Sequence, residues 1–518
     1  MIKRIFCLLT GLCMLHTAPA ASKAPDKPRA IVIFYADDLG YHDTSTYGCA
    51  AAPCPNLDTL ASQGLLFTDA HSASSVCTPS RYSLLTGTYA WRRRGMGILP
   101  GDAKLILPTA TEALTLPAMM QRAGYRTAAV GKWHLGLGRG TQPTDWNSAI
   151  SPSPREVGFD ESFIMAATGD RVPCVYIRNG EVVNGDPADP IRVNYDPAFR
   201  FPGEVAAADL TEEQLEQQLK PWGRSADKQH DKTIIDGISR IGHMQGGSKA
   251  LWKDQDIADT INRAASDFIR ESAGKPIFLY FCTNDIHVPR DPHPRHRGKS
   301  SLGIRGDVTV QMDDSLGVVR RALAEAGYKP EETLIIFTSD NGPVINDGYL
   351  DGSLKDCAGH NPAAPFSGGK YTLNEGGTRV PFIVHWPGHV APGRSEALVG
   401  QVDLSRSLAA LVGYSIPEGQ MQDSQDMLAA LLGKDSRGRA DIPEHNWNVN
   451  LALRSGNYKL MPLKSGGWAL YDVKADPAEQ HNIISQHPDV AAALKARLRE
   501  IKQQNGGTGL PMWGAKKG

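Results

Sequence analysis

Residues 30–36 read AIVIFYA, seven apolar positions without a polar break, and the next two residues are Asp37 and Asp38. A strand half exposed to water alternates polar with apolar residues, whereas an unbroken apolar run belongs in a sheet covered on both faces. Residues 127–130, 276–282 (PIFLYFC), 333–338 (TLIIFT) and 380–386 (VPFIVHW) share that character, and helical patterns separate them. The alternation predicts an α/β fold built on a large mixed, mainly parallel sheet flanked by helices. Four of the runs end directly in polar residues: Asp37-Asp38, Lys132 with His134, Asn284 to His287, and Asp340-Asn341. Ligands of open α/β sheets bind beyond the carboxyl ends of the strands, so these residues are expected to converge from distant parts of the chain.

Hydrophobic residues make up 41% of the 518, ample for a sizeable core. Lys and Arg total 55 against 56 Asp and Glu, a net charge of −1. Nothing in that balance attracts nucleic acid or an anionic membrane, so any bound anion must be held locally. Residues 1–20 have the layout of a secretory signal peptide: Lys3 and Arg4, an apolar stretch from Ile5 to Leu15, then Ala18-Pro19-Ala20. That stretch is too short to span a bilayer, and no later segment reads as an integral membrane helix. The mature chain is expected to be secreted, in the periplasm or outside the cell if bacterial. It keeps six of the eight cysteines, too few for a disulfide scaffold. Cys49 and Cys54 are near enough in sequence to bridge, and the sequence does not decide whether they do.

Residues 27–413 are expected to form the main domain and 414–518 a smaller α+β domain with an antiparallel sheet. In the latter, 451–463 and 467–473 read as strands, and Val490, Leu494, Leu498 and Ile501 form the apolar stripe of a closing helix. Between 138 and 249 the pattern loosens into Pro-rich polar sequence. Two readings stand, a surface excursion or an insertion that shapes a substrate site above the sheet.

Adjacent carboxylates leaving a buried strand repel each other strongly unless a cation neutralises them. Asp37, Asp38, Asp340 and Asn341 offer oxygen donors alone, which suits Ca²⁺, or less well Mg²⁺, over Zn²⁺. The strongest local signal is residues 77–87, CTPSRYSLLTG. Pro79 is placed to begin a helix, Leu84 and Leu85 to pack it and Gly87 to end it. Cys77 then lies at a helix N-terminus beside Arg81, a setting that favours an anion.

This string resembles the activation motif C-x-P-S-R-x-x-x-L-T-G of the formylglycine-dependent sulfatases, members of the alkaline phosphatase superfamily. Further blocks are similar to that family and occur in its order: ADDLG (36–40), PNLD (55–58), GKWHLG (131–136), SDNG (339–342), EGGTRVP (375–381), and LYD (470–472) with DPAE (476–479). The resemblance, which extends to bacterial secreted carbohydrate sulfatases, implies that a separate maturation enzyme oxidises Cys77 to formylglycine (3-oxoalanine). The hydrated aldehyde would be the nucleophile, and Asp37, Asp38, Asp340, Asn341 and residue 77 would surround a Ca²⁺. It also implies that Arg81 steadies the hydrate, that Lys132 and Lys370 hold sulfate oxygens, that His134 is the base and that His287 is the acid for the leaving alcohol. Arg171, Arg290 and His293 are candidates for substrate specificity, with Arg295 and His296 in the same basic run. The expected activity is hydrolysis of a sulfated carbohydrate or an aryl sulfate. A phosphoester or phosphonate hydrolase is the alternative, and a non-catalytic binder of sulfated glycans would follow if Cys77 were never converted.

Overall fold

The structure is a computed structural model that describes residues 27–93, 97–448 and 450–504; the expected leader, residues 1–20, lies outside them. Its frame is a ten-stranded sheet. In chain order the strands are β1 (Ala30–Ala36), β2 (Leu65–Phe67), β3 (Arg126–Lys132), β4 (Glu161–Met165), β5 (Tyr176–Arg178), β6 (Glu181–Val182), β7 (Ile277–Cys282), β8 (Thr333–Ser339), β9 (Phe382–His385) and β10 (Gly393–Ser395). In space they run β10-β2-β9-β8-β1-β7-β3-β4-β5-β6. The central strands β8, β1, β7, β3 and β4 are parallel, and antiparallel pairings begin on either side of them. The sheet is therefore mixed and mainly parallel, as the apolar runs predict.

All seven residues of β1 are buried, whichever face they point to. Phe34 locks the centre, with its ring 5.1 Å from Phe281 on β7 and 5.3 Å from Phe337 on β8. Register then decides where chemistry can occur. Ala36 lies opposite Ser339, Tyr35 opposite Cys282, and Cys282 opposite Gly131, so four strands end level and release their polar residues at one edge. Gly131 permits this closeness: its φ is +97°, and a Cβ there would meet the Cys282 carbonyl oxygen at 1.8 Å. The run at 380–386 behaves differently from the other four, because β9 is antiparallel to β8. Its entering end, and so the segment before it, lies at that same edge.

Helix α1 (Cys77–Thr86) packs with α4 (Leu404–Val412), and α2 (Ile257–Glu271) with α3 (Gly303–Glu325). Helix α1 starts at Cys77, two residues ahead of the expected start at Pro79. Pro79 falls in the first turn, where an amide hydrogen has no partner within the helix and its loss does no harm. Gly87 ends α1 in the left-handed conformation, and all ten helical residues are buried.

The C-terminal sheet holds β11 (Asp441–His445), β12 (Leu451–Ser455), β13 (Tyr458–Pro462) and β14 (Trp468–Asp472), antiparallel in that order. The single strand expected at 451–463 is thus a hairpin, turning at Gly456 with φ +53°. Helix α5 (Pro488–Gln503) packs Ala491, Leu494, Leu498 and Ile501 against Leu451, Leu453, Leu460 and Leu470, with Val490 partly buried beside them. Met421, Leu431 and Leu432 belong to the large core, and the second core begins at Leu451 on β12, well after Gly413. Cys49 and Cys54 are both free thiols. Among the described residues no helix is long and apolar enough to cross a membrane.

Buried charge ties the two parts together. Lys459 on β13 places Nζ 2.9 Å from Glu444, 3.1 Å from Glu375 and 3.6 Å from Glu479. Glu479 in turn accepts hydrogen bonds at 2.8 Å from the Ser367 hydroxyl and the Glu375 amide. The C-terminal sheet thereby grips the segment 367–375, which carries Lys370.

Candidate active site

The level strand ends bring together the residues that the sequence places there. Asp37 and Asp38 leave β1, Asp340 and Asn341 leave β8, Lys132 closes β3 with His134 just beyond, and His287 follows β7. Cys77 and Arg81 come from the first turns of α1, and Lys370 from the segment before β9. All ten side chains are buried.

Each of their charges has an opposite charge beside it. Lys132 Nζ lies 2.5 Å from Asp37, and Lys370 Nζ 2.8 Å from Asp38. Arg81 donates to Asp340 at 2.9 Å through Nε and to the Lys132 carbonyl at 3.0 Å, which fixes α1 to both β8 and β3. Asn341 donates to Asp38 at 2.7 Å. Asp38, His134 and Tyr371 all have positive φ (56°, 56° and 74°), so backbone strain of about 1 kcal/mol or more per residue gathers at this one edge.

The two histidines are held in defined tautomers. His134 Nε2 lies 2.9 Å from the Leu99 carbonyl oxygen, which can only accept, so Nδ1 presents its lone pair to Cys77 Sγ at 3.3 Å. His287 Nδ1 donates to the Val288 carbonyl at 2.6 Å, leaving Nε2 3.9 Å from Asp38. Burial, and after it Lys132 and Arg171 for His134 and Lys370 and Lys132 for His287, hold both imidazoles well below the ordinary histidine range, so both are neutral.

Two oxygens at the centre have no hydrogen-bond partner although buried: Asp37 Oδ2 and Asn341 Oδ1. Burial also pushes the Asp37 carboxyl up to about 8 despite Lys132 beside it. Asp38, by contrast, stays below the usual carboxylate range, because Lys370 and Lys132 outweigh its burial. Asp37, Asp38 and His287 bring ligand atoms within 4.8 Å of one another. Orphaned buried oxygens beside a carboxyl that resists ionising are what a hard divalent cation would relieve, and the oxygen donors fit one.

A cavity of about 1410 Å³ opens over Cys77, His287 and Lys370. Its walls include Asp170 and Arg171, Tyr195, residues 226–230 and 241–243, so the loose stretch between 138 and 249 shapes the site. Arg171 lines it and pairs with Asp170 at 2.6 Å. Arg290 does not reach it. That guanidinium is fully buried and donates to the carbonyls of Ile286, Val344 and Ile345 and to Asp351, so it staples loops together. His293 caps a short helical turn by accepting from the Arg295 amide, Arg295 pairs with Asp259 on α2, and His296 lies 3.4 Å from Asp314 on α3; none of these three lines the cavity either.

Several lining residues were not marked by any sequence pattern. Asp347 binds Lys370 Nζ and the Tyr371 hydroxyl, each at 2.8 Å, and His230 bridges Asp227 at 2.8 Å and Asp170 at 3.4 Å. All of them sit on connections without periodicity. Trp447 also lines the cavity, from the turn between β11 and β12.

Residues 29–414 match the sulfatase family. The chain belongs to that family. Residues 369–504 of this sulfatase also match the C-terminal region of N-sulphoglucosamine sulphohydrolase. It is 44% identical over 510 residues to N-acetylgalactosamine-6-O-sulfatase of Bacteroides thetaiotaomicron, covering 96% of this chain and 97% of the relative. Human arylsulfatase A is 30% identical over 529 residues, covering 95% and 90%. A solved structure from the glycosaminoglycan metabolism of B. thetaiotaomicron aligns with a TM-score of 0.87 at 44% identity, over 92% of this chain and 100% of that one. Another, Ps i-CgsB in complex with k-i-k-neocarrahexaose, aligns with a TM-score of 0.66 at 25% identity, over 93% and 94%. The sulfatase is accordingly a sulfuric ester hydrolase, and the family implies formylglycine and a divalent metal, for which the residues described above are suited.

Proposed function

We propose that this sulfatase is exported and removes 6-O-sulfate from N-acetylgalactosamine units of glycosaminoglycans, using formylglycine at position 77 and Ca²⁺. The observation that carries the substrate is the 44% identity, over almost the full length of both chains, to an N-acetylgalactosamine-6-O-sulfatase. Residues 1–20 support export. Asp37, Asp38, Asp340 and Asn341 would hold the cation, and their oxygen donors favour Ca²⁺.

When present, the cation and the hydrated aldehyde supply positive charge for the sulfate oxygens and two hydroxyls on one carbon. The chain's own groups do the rest. Lys132 and Lys370 bind sulfate oxygens where negative charge shifts in the transition state. His134 Nδ1, aimed at residue 77, takes up a hydroxyl proton. His287 Nε2 gives a proton to the departing alcohol oxygen. Burial, and after it Lys370 and Lys132, depress the His287 pKa, and a sulfate seated on those lysines offsets their part of the shift, which favours a proton on Nε2. Arg81 keeps α1, and with it residue 77, in place against Asp340.

The test uses enzyme isolated from a host that converts the cysteine, with peptide mass spectrometry across residue 77 to establish the aldehyde. Desulfation of 6-O-sulfated N-acetylgalactosamine and its 4-O isomer is followed by NMR. Loss of the 6-O group alone is expected; release from the 4-O isomer alone, or from neither, defeats the proposal. Cys77→Ala should lower turnover by several orders of magnitude in a protein with an unchanged melting point.

A further inference from the structure

We propose that Trp447 is a stacking platform for a second sugar ring, the one joined to the sulfated residue, so that the cavity reads at least a disaccharide. The inference rests on the glycan reading above and adds a binding subsite to it.

Among the described tryptophans Trp447 is the exception. Trp133 and Trp386 are fully buried, Trp91 is covered by Tyr89 and Arg92, Trp222 by Arg297, and Trp468 by Lys495. Trp447 is 52% exposed, has no ring or cation against it among the described residues, and lines the cavity that ends at Cys77. An indole left in water forgoes the stabilisation that burial of its faces would bring. A single exposed ring is also too small to serve as a protein-docking patch, which needs a contiguous apolar area of some hundreds of Å².

The backbone that carries the ring is held in a defined position. Asn446 Oδ1 accepts from the amides of Asn448 at 3.2 Å and Asn450 at 3.1 Å, so the turn is closed by its own side chain. Two residues before the tryptophan, the His445 carbonyl accepts from the Ser75 amide at 2.9 Å and the Ser74 hydroxyl at 3.1 Å. The Ser75 carbonyl accepts from the Tyr371 amide, next to Lys370. Ser75 lies two residues before Cys77, so the indole, the sulfate lysine and the reacting residue share one short length of backbone as their anchor.

The chemistry of the occupant follows from that geometry. A pyranose offers one face of C–H groups, which suits an aromatic plane, and a rim of hydroxyls, which suits the Asn448 amide that also lines the cavity. At about 1410 Å³ the cavity exceeds the ~300–1,000 Å³ that encloses a drug-sized ligand, so it has room for more than the sulfated ring.

The experiment compares wild type, Trp447→Ala and Trp447→Phe, all converted at residue 77, on two substrates: 6-O-sulfated N-acetylgalactosamine and a disaccharide bearing that residue at its non-reducing end. Trp447→Ala should lower kcat/KM for the disaccharide about tenfold or more while leaving the monosaccharide within about twofold, and Trp447→Phe should recover most of the loss. Unchanged melting points confirm that the variants fold. Equal losses on both substrates, or no loss on the disaccharide, overturn the platform alone. A wild type that cleaves a small aryl sulfate but neither sugar overturns the glycan reading, and the platform with it.

Discussion

Asp43 shows how tightly the turn after the paired aspartates is held. Its buried carboxylate pairs with both terminal nitrogens of Arg305, accepts from the Gly40 amide at 2.7 Å and faces His360 at 3.2 Å. Burial pushes this carboxyl up, but Arg305 and His360 outweigh it and hold it at about 2. Asp43→Asn would leave the Arg305 charge buried and uncompensated, so we expect a loss of about 3–5 kcal/mol in denaturant unfolding. The sign with pH follows from the depressed value: the contribution is complete above the unfolded-state value near 4 and is lost as pH falls from there through about 2. A variant whose stability curve below pH 4 still parallels wild type would remove Asp43 from that role. At this scale, the places of Lys132, His134 and Cys77 were legible because each closes a strand, lies just beyond one or opens a helix. Arg290 was not. Nothing in a basic run tells which way a guanidinium turns, and its partners Val344, Ile345 and Asp351 lie on a loop that meets it only in the folded chain.

Among the elements, the antiparallel turn of β9 does the most to complete the site. It brings the segment 367–375 to the edge where four parallel strands end, and the C-terminal sheet then clamps that segment through Glu479. Glu479→Ala removes the acceptor for Ser367 and Glu375 and one carboxylate from Lys459. Activity on a small aryl sulfate should fall about tenfold through looser placement of Lys370, with a melting point lower by a few degrees. Glu479→Gln, whose amide oxygen can still accept both bonds, should restore most of the rate. Unaltered kinetics in Glu479→Ala would show that the clamp does not position the lysine. The main strands were readable because burial on both faces erases the polar–apolar alternation. The hairpin at Gly456 was missed although Arg454-Ser455-Gly456-Asn457 breaks the apolar run there with a polar, glycine-containing turn, because the strand reading of 451–463 was carried straight across it.

For the molecule as a whole, metal binding should act as a fold-stabilising ligand. Asp37 Oδ2 and Asn341 Oδ1 follow strands far apart in the chain, and a cation that satisfied both would tie the end of β1 to the end of β8. Saturating Ca²⁺ should therefore stabilise chelator-treated protein by about 2.7 kcal/mol at a hundredfold excess over Kd, read as a higher melting point. Asn341→Ala should blunt the rise, and an equal rise in that variant would place the ion elsewhere.

Helix α1 also sets a clock on biosynthesis. Its ten residues have no face on the outside, and Cys77 is 1% exposed. If a separate enzyme oxidises this thiol, as the proposed function requires, it can reach it solely while that stretch is still an open chain. Assembly of the sheet awaits β8 and Asn341, synthesised long after position 77. The order of the strands would thus grant such a step its opportunity before the sheet closes, and faster folding would work against a fully converted product.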